Sequence, residues 1–203
     1  MMLSQEDGIQ AVRLARTTIE QHVQHQKLEV QNLPATFSEK HGVFVTIHTY
    51  PEYQLRGCIG IPLPVKQLKH AITDAAVSAT HDPRFPPLRK EELDSIVVEV
   101  TILTKPELIT VSKPSEYPQH IKIGRDGLIV EQGFFAGLLL PQVPVEQGWD
   151  TEEFLSQTCM KAGLLPDAWF DKDIRISKFT GQIFAEQTPK GTIQEKKLDG
   201  SHN

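Results

Sequence analysis

The sequence predicts a mixed α/β fold whose strands are mainly antiparallel. Apolar residues recur at helical spacing near the amino terminus and again after residue 64. Between these segments lie two runs of strand type joined by five residues, a length typical of an antiparallel hairpin. Further short apolar runs follow after residue 120, in the manner of a β-meander. We therefore expect helices packed on an antiparallel sheet.

The first helix should begin after Ser4, because Ser4 and Asp7 have the spacing of a capping box with a shortened acid. A strand rich in β-branched residues follows at 43–48. Residues 49–53 then form the turn into a second strand that contains the stretch 55–60. This arrangement predicts a hairpin whose second strand carries a cysteine.

The second helix should include Pro64, since proline fits the first turn of a helix. It should end before the segment 81–88, because a residue that precedes proline is pushed out of the helical region. A proline-rich loop is stiff, so this segment either presents polar side chains for binding or simply stops the helix. Residues 96–103 form a near-continuous apolar strand, interrupted by Glu99.

Three short strands with glycine-bearing connections are expected in the next part of the chain: 121–123, 128–130 and 138–140. Asp150 can cap a helix, with Glu153 at the capping-box position, and Gly163 should end that helix. A last strand at 174–185 should close the sheet. Residues 188–203 have the composition of a polar tail.

Composition excludes several classes of function. The formal net charge of −5 over 203 residues gives no sign of a nucleic-acid footprint. The first residues do not form a signal peptide, and no apolar run is long enough to span a bilayer. We therefore expect a soluble cytoplasmic protein that binds neither nucleic acid nor membrane. Cys58 and Cys159 are far apart and lack C-x-x-C pairing, so they indicate free thiols rather than a disulfide or a metal site.

The stretch 55–60 carries the candidate chemistry. On an extended strand Arg56 and Cys58 share one face, and a guanidinium near a thiol lowers the pKa of that thiol. Gly57 and Gly60 mark places where a ligand or another backbone can come close. Against this stands the view that Cys58 is a small buried hydrophobe and Arg56 part of a structural ion pair.

Glu99 needs an explanation because it interrupts an apolar strand. Its carboxylate either faces solvent on a half-exposed sheet or pairs with a cation, for which Arg56 or Arg84 is suitable. Cys159 is most simply a core residue, because it falls on the apolar side of a predicted helix.

Five motifs, in this order and spacing, resemble the AMMECR domain: LRGCIG at 55–60, HDPRFPPL at 81–88, VVEVTIL at 97–103, IGRDGLIVEQG at 123–133 and LLLPQVPVEQGWDTEEFLSQTC at 138–159. The resemblance implies one domain over 1–187, with a larger lobe of helices on a mainly antiparallel sheet, a smaller β-rich lobe and a cleft between them near the stretch 55–60. It supplies no reaction. It also implies a functional link to Memo-like and radical-SAM proteins.

Motif matching carries two sets of candidate site residues to this chain. Those expected to take part in catalysis are Cys58 as nucleophile, Arg56 and Glu99. Those expected to bind a ligand are Gly57, Gly60, Asp82, Arg84, Arg125 and Asp126. His48 and His81 are both candidates for a general base, and the sequence does not decide between them.

Two functions of different classes follow. One is a cysteine-dependent enzyme that acts on a small anionic metabolite or modified substrate, with Arg56 lowering the pKa of Cys58. The other is a non-catalytic binding module or protein-interaction scaffold, which recognises an anionic ligand through Arg56 and Arg84. Neither hypothesis requires a cofactor, and no cluster of side chains has metal-ligand spacing.

Overall fold

A computed structural model describes residues 3–27 and 33–196 of the chain. The described residues divide into two compact units, the first formed by 3–27, 33–103 and 182–196 and the second by 104–181. Within these residues, no helix combines the length and the apolar composition needed to cross a bilayer.

The described ranges contain both helices and strands, distributed over the two units. The helices are α1 Gln5–Val23, α2 Leu68–Ala79, α3 Gln142–Gln147 and α4 Thr151–Lys161. The strands are β1 Gly42–Thr49, β2 Leu55–Ile61, β3 Ile96–Leu103, β4 Glu107–Leu108, β5 Gly127–Gln132, β6 Phe135–Leu139, β7 Arg175–Phe179, β8 Gly181–Glu186 and β9 Ile193–Lys196. This content confirms the predicted mixed α/β class.

The first unit is built on a five-stranded sheet in the order β2-β1-β3-β8-β9. Strand β1 is antiparallel to both β2 and β3. Its alternate residues Val43, Val45 and Ile47 are fully buried and join a core that includes side chains of α1 and α2. Burial of each such side chain contributes roughly 1.5–3 kcal/mol, so this face of the sheet holds the helices in place.

The predicted first helix is confirmed at its start, where the Ser4 side chain accepts a hydrogen bond from the Asp7 peptide N–H at 3.1 Å. A buried ion pair then fixes α1 to the sheet. Arg16 Nε donates to Glu186 on β8 at 3.0 Å, and its Nη atoms donate to two backbone carbonyls. Glu186 also accepts from the Val98 N–H. Because every charged group has partners, the pair can be accommodated in the core.

The second unit contains a four-stranded sheet in the order β4-β7-β5-β6, with α4 packed against β5 and β6. Apolar side chains of the sheet and of α4 form its core; among those with the least exposure are Leu128, Val130, Phe154, Leu155 and Ile176. Cys159 belongs to the same core, as the sequence predicts.

The prediction of a strand at 121–123 is wrong. The chain there turns at Gly124, whose φ of 80° is in the left-handed region. The Asp126 carboxylate accepts the Lys122 N–H at 2.9 Å, and the Asp126 N–H donates to the Lys122 carbonyl. These local bonds occupy the backbone groups that a strand would need.

The segment 174–185 forms two strands, β7 and β8, which belong to different sheets. The continuous run breaks at Thr180, whose N–H donates to Thr104 Oγ1 at 2.9 Å. Strand β9 lies inside the segment 188–203 that the sequence assigns to a polar tail, and it pairs with β8. Ile193 explains the difference, because it packs on the core of the first unit. Residues 197–203 of that tail lie outside the described part.

Helix boundaries near proline also differ from expectation. Helix α2 begins at Leu68, with Gln67 as its N-cap, so Pro64 precedes it. The segment that follows Pro141 forms the short helix α3. Pro144 is its third residue, within the first turn, where the missing N–H of proline costs no helical hydrogen bond. Helix α4 ends near Gly163, at φ 81°, as predicted.

We expect Asp150→Ala to reduce the free energy of unfolding by about 0.5–2 kcal/mol, because Asp150 Oδ1 accepts the Glu153 N–H at 2.9 Å at the start of α4. Urea denaturation would measure the change. The reciprocal bond of a capping box is replaced by one from Gln157 to the Glu153 side chain. Glu153→Gln is therefore the matched control, with little loss expected. An unchanged midpoint for Asp150→Ala at unchanged slope would contradict the assignment.

Candidate functional site

The stretch 55–60 forms most of β2, which is an edge strand of its sheet. Cys58 lies opposite Thr46 on β1, and Thr46 lies opposite Glu99 on β3. Directly opposed residues of antiparallel strands project from the same face of a sheet. The alternate positions of these strands face α1 and α2, so Cys58, Thr46 and Glu99 form a row on the other face. We call these three residues the polar row.

The thiol of Cys58 is half-buried, and Thr46 Oγ1 donates a hydrogen bond to its sulfur at 3.2 Å. Burial raises the pKa of Cys58 above its ordinary value. The Thr46 hydroxyl and the Arg84 guanidinium act in the opposite direction, without reversing the effect of burial on this pKa. This direction is opposite to the lowered pKa that the sequence predicts for Cys58.

Arg56 does not act on the thiol in the way the sequence predicts. The register of the hairpin shifts between Ile47 and His48, which pair with Gly57 and Leu55, so Arg56 is the extra residue of a bulge. The bulge breaks the simple alternation of side chains on which the prediction rested.

The Arg56 side chain is instead held by Glu92. Its Nε donates to Glu92 Oε1 at 2.8 Å and its Nη2 to Oε2 at 3.1 Å, while Nη1 donates to the Pro86 carbonyl. The side chain is only 13% exposed. This bidentate pair ties β2 to the proline-rich loop and leaves Arg56 a structural residue, which is the alternative that the sequence left open.

Asp82 and Arg84 form the second link between that loop and β2. The Asp82 side chain is 1% exposed and the Arg84 side chain 56%. Asp82 accepts the Cys58 N–H at 2.8 Å and the Arg84 Nη2–H at 2.7 Å, and also the Nε–H and backbone N–H of Arg84. The Arg84 guanidinium, with these N–H donors, holds the pKa of Asp82 well below its usual range.

Gly57 makes this close approach possible. A Cβ atom built at Gly57 would lie 2.3 Å from the Ala79 carbonyl oxygen at the end of α2. Since backbone atoms cannot yield in the way a flexible side chain can, any larger residue would push the loop that carries Asp82 away from β2.

Part of the Arg84 guanidinium is free to bind a ligand. Its Nη2 donates to the Cys58 carbonyl at 3.3 Å, and its guanidinium lies 5.7 Å from the centre of the Phe85 ring. Its Nη1 makes no hydrogen bond with any described residue. The Nε and Nη2 groups of Arg84 are held by the protein, and its Nη1 edge faces solvent. That edge can bind an anion.

Glu99, at the other end of the polar row, pairs with neither arginine. Its partner is Lys196 on β9, at 2.7 Å, and its side chain is mostly buried. Lys196 also contacts the Tyr53 hydroxyl, and the Tyr53 ring stacks on His48 with centroids 4.4 Å apart. Of the two alternatives drawn from the sequence, pairing with a cation is therefore confirmed and exposure to solvent is wrong, although the cation is Lys196 and not Arg56 or Arg84.

Neither candidate base is bonded to the Cys58 thiol, and the buried Nδ1 of His48 has no hydrogen-bond partner among the described residues. Burial lowers the pKa of His48, although the Glu99 carboxylate opposes this effect. The His81 ring is hydrogen-bonded to Thr80 and packs edge-on against His22. The hydrogen bonds to the Cys58 thiol in the described residues include none from a histidine.

The remaining ligand candidates belong to different units of the chain. Gly60 lies two residues beyond Cys58 on β2, whereas Arg125 and Asp126 lie in the second unit. There Arg125 Nε donates to Asp126 Oδ1 at 2.7 Å, and Asp126 organises the local turn. Across residues 3–27 and 33–196, no three side chains of metal-ligand type converge.

Sequence reasoning missed Thr46, Glu92 and Lys196. Counting register back from the hairpin turn would place Thr46 opposite Gly57, and the bulge at Arg56 moves it opposite Cys58. Glu92 and Lys196 gave no sequence signal either, since each reaches its partner from an element distant in sequence.

The comparisons with known proteins agree on one family. The AMMECR1 family model matches residues 12–184. Protein MJ0810 of Methanocaldococcus jannaschii is 57% identical over 97% of this chain and 98% of its own length. Protein PH0010 of Pyrococcus horikoshii is 53% identical over 97% of this chain and 98% of its own.

A crystal structure described as uncharacterized protein PH0010 from Pyrococcus horikoshii superposes with a TM-score of 0.83. It is 52% identical in sequence, and the match covers 96% of this chain and 98% of that one. The fold is therefore that of the solved relative, while the names of these proteins give no activity.

We expect Asp82→Asn to destabilise the protein by about 1–3 kcal/mol near pH 7, because the charged acceptor of buried N–H groups is lost. The folded-state pKa of Asp82 lies below its unfolded value, so its stabilisation is present above about pH 4 and is lost as the pH falls through the folded value. The stability difference from wild type should shrink with acidification. Urea titrations at about pH 7, 5 and 3 would measure it, and an equal difference at all three would refute the assignment.

We expect the alkylation rate of Cys58 to have its midpoint above about pH 8.5, the free-thiol value, because burial raises its pKa. Arg84→Met should raise this pKa further, whereas Arg56→Met should leave it unchanged. Cys159 is fully buried and its pKa is raised to about 11, so it should not label in the native protein. Iodoacetamide labelling read by mass spectrometry would test this in variants whose circular dichroism matches wild type. A midpoint moved by Arg56→Met alone would restore the original prediction.

Proposed function

The chain belongs to the AMMECR1 family, and from that premise we propose that it is a binding module that holds the anionic group of a small ligand on Arg84, beside Cys58. The observation that carries this proposal is the asymmetry of the Asp82–Arg84 pair. The carboxylate is buried and the guanidinium is about half exposed. A ligand in solvent therefore meets the cation and not its counter-ion.

Preorganisation supports the same function. Three hydrogen bonds from the Arg84 side chain, to Asp82 and to the Cys58 carbonyl, fix the direction of the guanidinium. A free arginine side chain carries about 2 kcal/mol of rotamer entropy that binding normally costs. Here most of that ordering occurs on folding, so an incoming anion gains the charge-assisted bond with little further loss.

The cysteine-dependent enzyme is supported less well. A nucleophilic thiol needs a lowered pKa or an adjacent base, and burial raises the pKa of Cys58. In the described residues its hydrogen-bond partner is the hydroxyl of Thr46, which cannot accept its proton efficiently at neutral pH. We propose that the uncharged thiol of Cys58 lines the site next to the Arg84 guanidinium and takes no part in a reaction.

Three finer expectations remain part of the proposal: location in the cytoplasm, a functional link to Memo-like and radical-SAM proteins, and a cleft near the stretch 55–60. The composition of the sequence supports the first, and the sequence resemblance supports the other two.

The proposal is tested by titrating ¹⁵N-labelled protein with acetate and with inorganic phosphate at constant ionic strength. We expect saturable shifts of the Arg84 Nε–H and Cys58 N–H signals, because both groups adjoin the free edge of the guanidinium. Arg84→Met should abolish them. Arg89→Met is the matched control, since Arg89 is also an exposed arginine near a carboxylate, that of Glu92. Saturable shifts that survive in Arg84→Met, or none for either anion in wild type, would exclude this site.

A further inference from the structure

Along the outer edge of β2, the backbone groups of Cys58 are hydrogen-bonded and those of Gly60 are free within the described part of the chain. The backbone N–H and C=O of Cys58 point away from β1. The N–H donates to Asp82, and the C=O accepts a hydrogen bond from Arg84. Gly60 lies two residues further, so its peptide groups point in the same direction. They have no hydrogen-bond partner among the described residues. Pro62, the next residue of this parity, has no N–H to offer.

A groove runs beside this open position, between β2 and α2, with a volume of about 550 Å³. Ile59, Ile61 and Ala75 supply apolar surface to it. Its polar part includes Ser78 and the solvent-exposed Lys66–Asp74 ion pair. Ile59 and Ile61 flank Gly60 in sequence and project toward α2, so the groove lies on the helix side of the open edge.

We propose that this edge binds the carboxyl-terminal end of an extended peptide, which pairs with Gly60 and places its terminal carboxylate on Arg84. The inference rests on the proposed function, because it uses the same guanidinium, and it names the class of ligand. The added strand would be a short case of β-augmentation, in which backbone hydrogen bonds supply affinity and side-chain pockets supply selectivity.

Strand direction decides which end of the peptide meets Arg84. Strand β2 runs from Leu55 to Ile61, so a strand antiparallel to it runs from the Gly60 position toward the Cys58 position. Its carboxyl end therefore arrives where Asp82 and Arg84 close the edge. A parallel strand would bring an ammonium group to the guanidinium, and like charges repel.

The register gives a side-chain preference. If the penultimate peptide residue pairs with Gly60, the terminal residue lies opposite Ile59 and the third-last lies opposite Ile61. Opposed residues share a face, so both of these side chains enter the apolar groove. The site should prefer apolar residues at the last and third-last positions.

The closed position also explains why a terminus is favoured over an internal segment. A chain that continued past the terminal residue would meet the Asp82–Arg84 pair, which already occupies the edge groups of Cys58. Continuation would require those bonds to break and would bury a carboxylate without its partner. A chain that ends there adds a hydrogen bond to Arg84 at no such cost.

The probe is the acetylated tetrapeptide Ac-Ala-Leu-Ser-Val with a free carboxylate, titrated into ¹⁵N-labelled full-length protein. We expect saturable shifts of the Gly60, Ile59 and Ser78 amide signals. The same peptide with a carboxamide end should bind at least about tenfold more weakly, since it loses a charge-assisted bond. N-methylation of its serine should weaken binding similarly, because that N–H pairs with the Gly60 carbonyl.

Two variants separate this inference from the proposed function. Ser78→Trp fills the groove from an exposed position, so it should weaken the peptide while acetate still binds. Ser115→Trp, at an exposed serine of the second unit, is its matched control and should change neither. Arg84→Met should weaken both ligands. Circular dichroism would confirm that each variant is folded.

The possible results separate the two proposals. If acetate binds at Arg84 but the peptide binds no more tightly, or if acid and amide peptides bind equally, the peptide inference is overturned and the anion site stands. If neither acetate nor peptide produces shifts that depend on Arg84, the proposed function fails as well.

Discussion

The buried carboxylate of Asp82 is the group on which the candidate site depends. It accepts the peptide N–H of Cys58 on β2 and three N–H groups of Arg84, so it joins an edge strand to the proline-rich loop that follows α2. A buried charge is tolerated only when its hydrogen-bonding capacity is filled. The loop conformation, the direction of Arg84 and the protection of the strand edge at Cys58 therefore depend on one another. Gly57 permits the arrangement because a side chain there would collide with the end of α2.

The surroundings of Cys58 are the reason why we propose binding rather than nucleophilic catalysis. The Cys58 sulfur is partly buried, and loss of water raises the pKa of a thiol. The nearest cation could oppose this effect, but the buried Asp82 carboxylate already compensates most of its charge. Arg56, which the sequence placed beside the sulfur, is occupied by Glu92. What remains exposed is a rigid guanidinium next to a neutral thiol.

The polar row crosses the sheet from that cation to a second ion pair. Glu99 would be unstable among the apolar residues of β3 without a partner, and Lys196 supplies one from β9. Segment 193–196 is therefore part of the first unit, where Ile193 packs on the core and Lys196 compensates the carboxylate. The cations at the two ends of the row differ in their hydrogen bonds. The Lys196 ammonium group is hydrogen-bonded to Glu99 and Tyr53, whereas the Arg84 guanidinium has one edge without a partner among the described residues.

Local pattern in the sequence determined the class of fold and many of the elements. Helix α1 with its Ser4 cap, the β1–β2 hairpin, strand β3 and the Asp150 cap of α4 all follow from residue spacing and turn chemistry, which act over a few residues. The same pattern marked the stretch 55–60 as the place to look. Only the tertiary structure decided the partners of its charged groups. Arg56 with Glu92, and Glu99 with Lys196, join residues 36 and 97 positions apart. The bulge at Arg56 and the burial of Cys58 likewise depend on how strands and loop pack. An ion pair or a pKa depends on distance and exposure in space, and neither is encoded in the spacing of residues along the chain.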